Sequence, residues 1–423
     1  MKSLYSLSLF LDYTYMMFSR HEKIVLFSLA AIQFNHIVDF MIVMPLGPKL
    51  MRVFQISPEQ FSLLVSMYTL MAGLSGFLAS FYVDKFDRKN NLVFMFIGFI
   101  ASTALCGTAP NFYWLLAARA FAGFFGGIMN SLILSIVSDL ISYERRATAM
   151  GTITSAFSLA SIVGIPFSLF LSDHFDWHAP FMFLAISSII VLIVAVKHIP
   201  SVRGHLDHVD RVTKTITNPF NNIFQSRTQL FSLFFMFILM LGHFSIIPFI
   251  SPSLVANAGV NENQLLFIYL VGGACSMLMA PLIGKFSDKY GKAKVFTWAL
   301  FLSVIPVILI THQTVAPLYI VLCIAGLFFI SAVARMIPAH ALISSAAEPA
   351  HRGSFLSILS CVQSLSMALG SWMAGQIIIK NAATGHLERY QLVGYIAVGF
   401  GFLSLIIFQK IKYLDVIQRK SAL

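Results

Sequence analysis

Residues 24–46 read IVLFSLAAIQFNHIVDFMIVMPL, an apolar run whose one carboxylate is Asp39. About 20 apolar residues in a helix cross the hydrocarbon core of a bilayer, so this run is long enough to span a membrane. It lacks the strict alternation of apolar and polar residues that marks a barrel strand. Because a spanning segment must satisfy its own backbone hydrogen bonds, the run is predicted to be a transmembrane helix.

Eleven further runs of similar length follow it. The predicted fold is therefore an all-α membrane protein with twelve transmembrane helices, at 24–46, 59–82, 92–109, 112–139, 147–171, 178–198, 229–251, 263–284, 294–311, 316–340, 353–379 and 391–411. The composition agrees, since 58% of the 423 residues are hydrophobic and 11% are charged, against roughly 25% charged in soluble proteins. The 41 Phe and 19 Met would leave a soluble protein with an apolar surface, so soluble enzymes and nucleic-acid binders are excluded.

The charge distribution predicts the orientation of these helices. If the N-terminus is cytoplasmic, 22 of the 28 Lys and Arg lie on the cytoplasmic side, four lie on the opposite side, and Arg119 and Arg335 lie inside helices. The positive-inside rule then places both termini in the cytoplasm. It also accounts for the net charge of +11 without a nucleic acid, because anionic lipid attracts the basic loops.

The chain contains an internal repeat. At an offset of 204 residues, Asp84-Lys85 aligns with Asp288-Lys289, Pro48 with Pro252 and Gln60 with Gln264. This favours two pseudo-symmetric six-helix bundles, the architecture of many secondary transporters. The predicted organisation is a cytoplasmic N-terminal segment at 1–23, a first bundle at 24–198, a cytoplasmic central loop at 199–228, a second bundle at 229–411 and a cytoplasmic tail at 412–423.

Two loops at equivalent places in the repeat carry acids among basic residues. The first contains Asp84, Lys85 and Arg88, and the second reads Gly284-Lys-Phe-Ser-Asp288-Lys-Tyr-Gly291-Lys292. Here the chain resembles the major facilitator superfamily, whose signature G-x-x-x-D-R/K-x-G-R/K occurs at both loops. The first copy departs from it, with Ser80 and Asp87 in place of glycines. The resemblance implies a conformational latch formed by Asp84, Lys85, Arg88, Asp288, Lys289 and Gly291, and plain anchoring by basic residues is the alternative.

The fourth predicted helix contains Arg119, Gly123 and Gly127, resembling the R-x-x-x-G motif that this superfamily associates with proton coupling. The two glycines lie one turn apart and would let another helix approach closely. An intramembrane arginine normally faces a cavity or a partner. Asp39 is the one carboxylate deep within a predicted span, so Arg119 is its expected partner. Movement of Arg119 toward or away from Asp39 would load and unload a proton, and acids on the first helix are typical of drug:proton antiporters of this superfamily. A permanently ionised structural pair is the alternative.

The repeat offers a further protonatable candidate, because Asp39 plus 204 is His243. Histidine titrates near neutrality in water, although a lone histidine is more often a packing residue. Arg335 is a second intramembrane cation and has no evident acidic partner. Arg335 has two alternative predicted roles. It contacts an anionic group of the substrate or a file of water molecules, or else it pairs with a backbone carbonyl or with an acid in a loop. The predicted substrate-binding residues are Asn35, His36, Asn130, Arg335 and His340.

Other kinds of site are not indicated. His205, Asp207, His208 and Asp210 are interpreted as a polar loop, so we expect no metal site. No phosphate-binding Gly-Lys-Ser/Thr loop is present, and no nucleophile and base gather in one loop, so neither a cofactor nor enzymatic activity is expected.

These features predict a monomeric carrier in a bacterial inner membrane. Its function would be proton-coupled efflux of a small organic solute, such as a drug, a sugar, a metabolite or a chelate, with multidrug resistance as one outcome. A small-residue face on the fifth helix, ending in Gly164-Ile165-Pro166, resembles the superfamily's antiporter motif but lacks its leading glycine and its Gly-Pro dipeptide. It favours antiport, and ordinary small-residue helix packing is the alternative. A proton-coupled symporter and a non-transporting assembly factor or receptor are the alternatives.

Overall fold

The computed structural model describes residues 18–79, 86–203, 226–346 and 352–421. Within these ranges twelve helices are long and apolar enough to cross a membrane, as the sequence predicts. They are α1 (Arg20–Ile42), α2 (Pro58–Ala79), α3 (Arg88–Gly107), α4 (Phe112–Leu140), α5 (Tyr143–Leu159, Ala160–Gly164 and Ile165–His174), α6 (Ala179–His198), α7 (Arg227–Ile246, Ile247–Phe249 and Ile250–Asn257), α8 (Leu265–Tyr290), α9 (Lys292–Thr311), α10 (Leu318–Ala346), α11 (Arg352–Ile377) and α12 (Tyr390–Ser421).

Several helix ends differ from those predicted by hydrophobicity, because polar residues extend or cap the helices. α1 begins at Arg20, inside the segment predicted to precede it, since Ser19 and Glu22 form a capping box. α12 continues to Ser421, so most of the predicted tail is helical. The remaining elements are a short helix at Gly47–Val53, a 3₁₀ turn at Glu262–Gln264 and a two-stranded antiparallel sheet of β1 (Ile379–Lys380) and β2 (Leu387–Glu388).

α5 is interrupted by one π-helical turn at Ala160–Gly164. Pro166 follows this turn, and proline has no amide hydrogen and crowds the carbonyl four residues earlier. Glycines at this turn allow α5 to pack closely against α1 on one side and α8 on the other. Gly164 contacts Val38 of α1, and Gly273 of α8 packs against the Ser161 carbonyl, where an added Cβ would lie 3.0 Å from the oxygen.

The repeat deduced from the sequence is visible in the contacts between the bundles. Phe40 stacks on Phe244, its equivalent at the offset of 204, with ring centroids 6.1 Å apart. Gln60 and Gln264, which are equivalent in the repeat, also have the same structural role. Gln60 accepts from the backbone amide of Ser57 at 3.0 Å, and Gln264 accepts from that of Asn261 at 3.0 Å, so each caps the helix that follows.

The apolar core shows how the bundles are arranged. The "terminus end" is the end where α1 begins and α12 finishes, and the "far end" holds the turns after α1 and α7. At the far end one buried cluster joins both bundles and includes Leu46, Phe61, Phe249 and Leu254. Toward the terminus end each bundle has its own cluster. The bundles are therefore packed together at the far end and have separate cores at the terminus end.

Glycines on α5 and α8 agree with this arrangement. Gly273 packs against α5 in the middle of the molecule, whereas a Cβ added at Gly151 or Gly284, nearer the terminus end, would meet no described atom within 4 Å. At the far end, Arg52 of the first bundle forms a two-pronged ion pair with Glu262 of the second, with one N–O distance of 3.0 Å. The bundles are thus joined at the far end, whereas toward the terminus end α5 and α8 have open space beside Gly151 and Gly284 and α2 still contacts α11 at Gly76 and Cys361.

Candidate functional site

The structure brings Asp39 and Arg119 together in the interior of the first bundle. Arg119 Nη1 lies 2.9 Å from Asp39 Oδ2, and both side chains are fully buried. The same nitrogen donates to the Asp39 carbonyl at 3.1 Å, and the Thr103 hydroxyl donates to Asp39 Oδ1 at 3.2 Å. Charges in a membrane interior are costly unless paired, and this pair meets that requirement.

Tyr68 covers the other side of the guanidinium and was not identified from the sequence. The Arg119 Cζ lies 4.2 Å from the centre of the Tyr68 ring, a cation–π contact. α2 comes this close because Gly123 and Gly127 on α4 have no side chains, and a Cβ at either position would collide with the backbone of α2 at Tyr68 or Ala72. The expected close approach at these glycines is confirmed, and α2 is the helix that makes it.

Unpartnered polar atoms lie beside the ion pair. Within the described residues, both ring nitrogens of His36 and the Tyr68 hydroxyl are buried without a hydrogen bond. They meet near Gly126, where an added Cβ would lie 2.8 Å from His36 Nε2 and 2.9 Å from the Tyr68 hydroxyl. Buried donors and acceptors are normally satisfied, so these atoms have hydrogen-bonding capacity that the described residues do not use.

In the second bundle, His243 and Arg335 lie near each other. The His243 ring stacks on Phe328 with centroids 6.5 Å apart, and Phe328 and Arg335 share a face of α10 because they are seven residues apart. Arg335 is buried, with 6% of its surface exposed. No hydrogen bond or ion pair reaches Arg335 from any described residue, and both its Nε and His243 Nδ1 are buried and unsatisfied.

The other predicted substrate-binding residues occupy varied positions. Asn35 donates to the Ser188 hydroxyl of α6 at 2.9 Å, so it packs between two helices of one bundle. Asn130 and His340 are exposed on α4 and α10. The structure therefore brings Asp39, Arg119 and His36 into one cluster and His243 and Arg335 into another.

The residues predicted to form the latch have different surroundings in the two halves of the chain. Asp84 and Lys85 lie outside the described residues. Arg88 lies 3.1 Å from Asp139, which ties the start of α3 to the end of α4 within one bundle. Asp288 and Lys289, predicted to lie in the second loop, belong instead to the last turn of α8 and are exposed. Gly291 ends α8 with φ of +91°, a conformation that side chains disfavour, which explains the glycine at this position.

Asp87, which departs from the superfamily signature, has a clear structural role. Its carboxylate caps α3 by accepting from the Lys89 amide at 2.8 Å, and it also accepts from the Ser201 hydroxyl, the Val202 amide and Arg203 Nε. Burial raises the pKa of this group, but the four hydrogen bonds outweigh burial and lower the pKa to about 2. Asp87 therefore stays ionised at physiological pH and fixes residues 201–203 to the first bundle.

Metal binding was not expected, and the residues that were considered for it, His205, Asp207, His208 and Asp210, lie outside the described residues. Among the residues that are described, no group of three or more His, Cys, Asp or Glu is arranged to hold a metal ion. The two buried clusters are instead suited to charge pairing, proton binding and contact with a polar solute.

Twelve membrane-spanning helices in two related bundles, with buried charges at their centre, define a membrane transporter. The model of the Major Facilitator Superfamily matches residues 29–279 and 232–421. The chain belongs to this superfamily and is a multi-pass bacterial membrane protein. Because its relatives are transporters, it is not an enzyme.

Individual relatives are distant. The chain is 28% identical over 256 residues to the uncharacterised transporter YceJ of Bacillus subtilis, covering 60% of this chain and 65% of that protein. It is 25% identical to a probable sugar efflux transporter of Helicobacter pylori, covering 68% of this chain and 71% of that protein. A crystal structure of a bacterial homologue of the human lysosomal transporter Spinster, inward-facing and unoccupied, matches with a TM-score of 0.72 and 17% identity, covering 93% and 99% of the two chains.

Proposed function

We propose that this transporter couples proton entry to the export of a small organic solute by alternating access. The observation that carries the proposal is the sealed Asp39–Arg119 pair. Protonation of Asp39 removes one charge of the pair and leaves Arg119 without its counter-ion, so the proton load changes the interactions that hold α1 against α4. The exchange of one proton for one solute then requires that the pair open toward each side of the membrane in turn.

The position of the pair offers a mechanical link to the movement of the bundles. Phe40, next to Asp39, stacks on Phe244, next to His243, across the boundary between the bundles. Rocking of one bundle against the other displaces this contact and with it the backbone of α1 at Asp39. Arg119 Nη1 binds the Asp39 carbonyl as well as its carboxylate, so the pair responds to such a displacement.

Export is the favoured direction for two reasons. One relative is named a probable sugar efflux transporter. The small-residue face of α5, with its π-helical turn against α1 and α8, is the feature that resembles the antiporter motif. One proton moving inward at a membrane potential of 100 mV supplies about 2.3 kcal/mol for the exchange.

The proposal includes an orientation. With both termini in the cytoplasm of a bacterial inner membrane, the terminus end, where α5 and α8 have open space beside Gly151 and Gly284, faces the cytoplasm and the Arg52–Glu262 pair closes the outer side. Solute would then enter from the cytoplasm in this conformation. Asp84, Lys85, Arg88, Asp288, Lys289 and Gly291 would form the latch that holds the terminus end shut in the opposite conformation.

Proteoliposomes test this function. Purified protein is reconstituted with an internal pH dye and an imposed pH gradient, and a panel of labelled drugs, sugars, amino acids and chelates is supplied. Antiport predicts solute-dependent proton flux opposite to solute movement. The flux is lost in Asp39→Asn but retained in Asp176→Asn, a matched change in the turn between α5 and α6, where Asp176 contacts His178 at 2.7 Å.

Two other results would contradict the proposal. Protons and solute moving in the same direction would make the protein a symporter, which shares every buried residue described above. Solute movement that is unchanged in folded Asp39→Asn would show that Asp39 carries no proton needed for transport. Folded yield is checked for each variant by size-exclusion chromatography before flux is measured.

A further inference from the structure

The two intramembrane arginines have opposite surroundings. Arg119 is neutralised by Asp39 and covered by Tyr68. Arg335 is also buried, its Nε has no partner, and its guanidinium neither donates to nor forms an ion pair with any described residue. A buried and unpaired cation is costly to keep in a membrane protein, so residues of this kind usually serve a ligand or a transported ion.

The sequence of the second half offers no acid for Arg335. Its acidic residues are Glu262, Asp288, Glu348, Glu388 and Asp415, and none falls inside a span predicted from the sequence. Arg335 also lies eleven residues before the last residue of α10, Ala346, which is about 16 Å along the helix axis. The helix end is therefore too far away for its carbonyls to neutralise the guanidinium.

His243 adds a second unsatisfied polar group near Arg335. It packs on Phe328, on the same face of α10 as Arg335, and its Nδ1 is buried without a partner among the described residues. By the repeat, His243 occupies the position that Asp39 occupies in the first bundle. The second bundle therefore has a histidine where the first bundle has its carboxylate, and Arg335, which is not the repeat equivalent of Arg119, has no carboxylate beside it among the described residues.

We propose that Arg335, with His243 beside it, binds an anionic oxygen group of the transported solute, a carboxylate being the simplest example. The solute supplies the negative charge that the second bundle lacks, and guanidinium is well shaped for two-pronged binding of carboxylate or phosphate. The rings of Phe244 and Phe328 next to His243 would contact its organic part. This rests on the proposed transport function and names its substrate class as organic anions.

A ligand-free measurement gives the first test. If Arg335 has no protein partner, Arg335→Gln removes an uncompensated charge and raises the thermal unfolding midpoint of the purified protein in neutral buffer. Lys380→Gln removes an exposed cation from β1 and leaves the midpoint within about 1 °C. A lower midpoint in Arg335→Gln would show that Arg335 is paired within the protein and would overturn the proposal.

Ligand binding gives the second test and requires neither transport nor a proton gradient. Benzoate, glucuronate, phosphate and sulfate are compared at constant ionic strength with the neutral benzyl alcohol and glucose. At least one anion is expected to raise the unfolding midpoint of the wild type and of Lys380→Gln, with the shift lost in Arg335→Gln and retained in part in Arg335→Lys.

The results separate this inference from the proposed function. Asp39→Asn should keep the anion-dependent shift while losing proton flux, so failure of proton coupling leaves the anion site testable. An equal shift in wild type and Arg335→Gln, no shift with any of the four anions, or an equal shift with the neutral compounds would each overturn the anion site and leave proton-coupled transport standing.

Discussion

Asp39 contributes to this molecule through two atoms at once, since its carboxylate and its carbonyl oxygen both accept from Arg119 Nη1. Thr103 holds the second carboxylate oxygen, and Tyr68 lies over the guanidinium. Each charge is therefore satisfied only while the other is present. Removal of one partner leaves a buried charge whose cost exceeds the net contribution of the intact pair.

This dependence predicts strong coupling between the two residues. Arg119→Gln leaves Asp39 unpaired and is expected to destabilise the protein by about 3–5 kcal/mol if the carboxylate stays ionised. The double variant Asp39→Asn, Arg119→Gln should regain most of that loss but remain inactive. A double-mutant cycle, measured by reversible unfolding in detergent, reports the coupling, and additive effects of the two changes would contradict it.

Asp87 leads to a second prediction at the same scale. Asp87→Asn keeps an oxygen that can cap α3 but loses the charge-assisted bonds to Ser201 and Arg203, and it is expected to cost about 1–2 kcal/mol because neutral hydrogen bonds are weaker than charged ones. The folded-state pKa of about 2 is below the usual value of 3.8, so the stability it contributes is present above pH 3.8 and is lost as pH falls toward 2. The difference in unfolding free energy between wild type and Asp87→Asn should thus be constant between pH 5 and 8, and a change across that interval would refute this account.

At the scale of helices, glycine positions decide which helices touch. Gly123 and Gly127 allow α2 to lie directly on α4, and this contact sets Tyr68 over Arg119. Gly151 lies on α5 where no described atom is near. Glycine therefore allows a close helix–helix contact on α4 but faces open space on α5.

A pair of alanine substitutions tests this difference. Gly123→Ala must push α2 away from α4, so we expect a loss of about 1–3 kcal/mol and lower transport because Tyr68 moves off the guanidinium. Gly151→Ala should be neutral or stabilising by about 0.5–1 kcal/mol, since alanine favours a helix. Unfolding free energies of the two variants check the ranking, which fails if Gly151→Ala is the more destabilising change.

Much of the helix arrangement could be predicted from the sequence, because apolar length and basic loops are local signals. The repeat at an offset of 204 predicted the equivalence of Gln60 and Gln264, and the capping bonds reflect it. Tyr68 could not be identified, since an aromatic residue in an apolar helix carries no local sign of its partner. Asp87 was seen only as a departure from a signature, because its partners lie more than 100 residues away in the chain.

At the scale of the whole molecule, the far-end contact between the bundles should control access. Arg52 and Glu262 belong to different bundles and join them at the far end. Replacement of both by cysteine, in a background with Cys106, Cys275, Cys323 and Cys361 changed to serine, allows a thiol cross-linker to fix that end. Transport should stop on cross-linking and return after cleavage of the linker, whereas continued transport would show that the far end need not open.

The anion site has a consequence for the energetics of the cycle. Export of a monovalent anion against entry of one proton moves two positive charges inward, so a potential of 100 mV supplies about 4.6 kcal/mol. An inside-negative potassium diffusion potential should therefore accelerate export without any pH gradient. Rates measured with and without valinomycin check this, and export that ignores the potential would argue for a neutral solute or a different stoichiometry.

The apolar cores described above have a thermodynamic consequence for rocking. In this conformation one core is shared at the far end and two are separate toward the terminus end. A rocked conformation would divide the shared core and merge the separate ones, so the hydrophobic area lost at one end is recovered at the other. The two conformations can then have similar free energies, and a few kcal/mol from a single proton is enough to invert their populations.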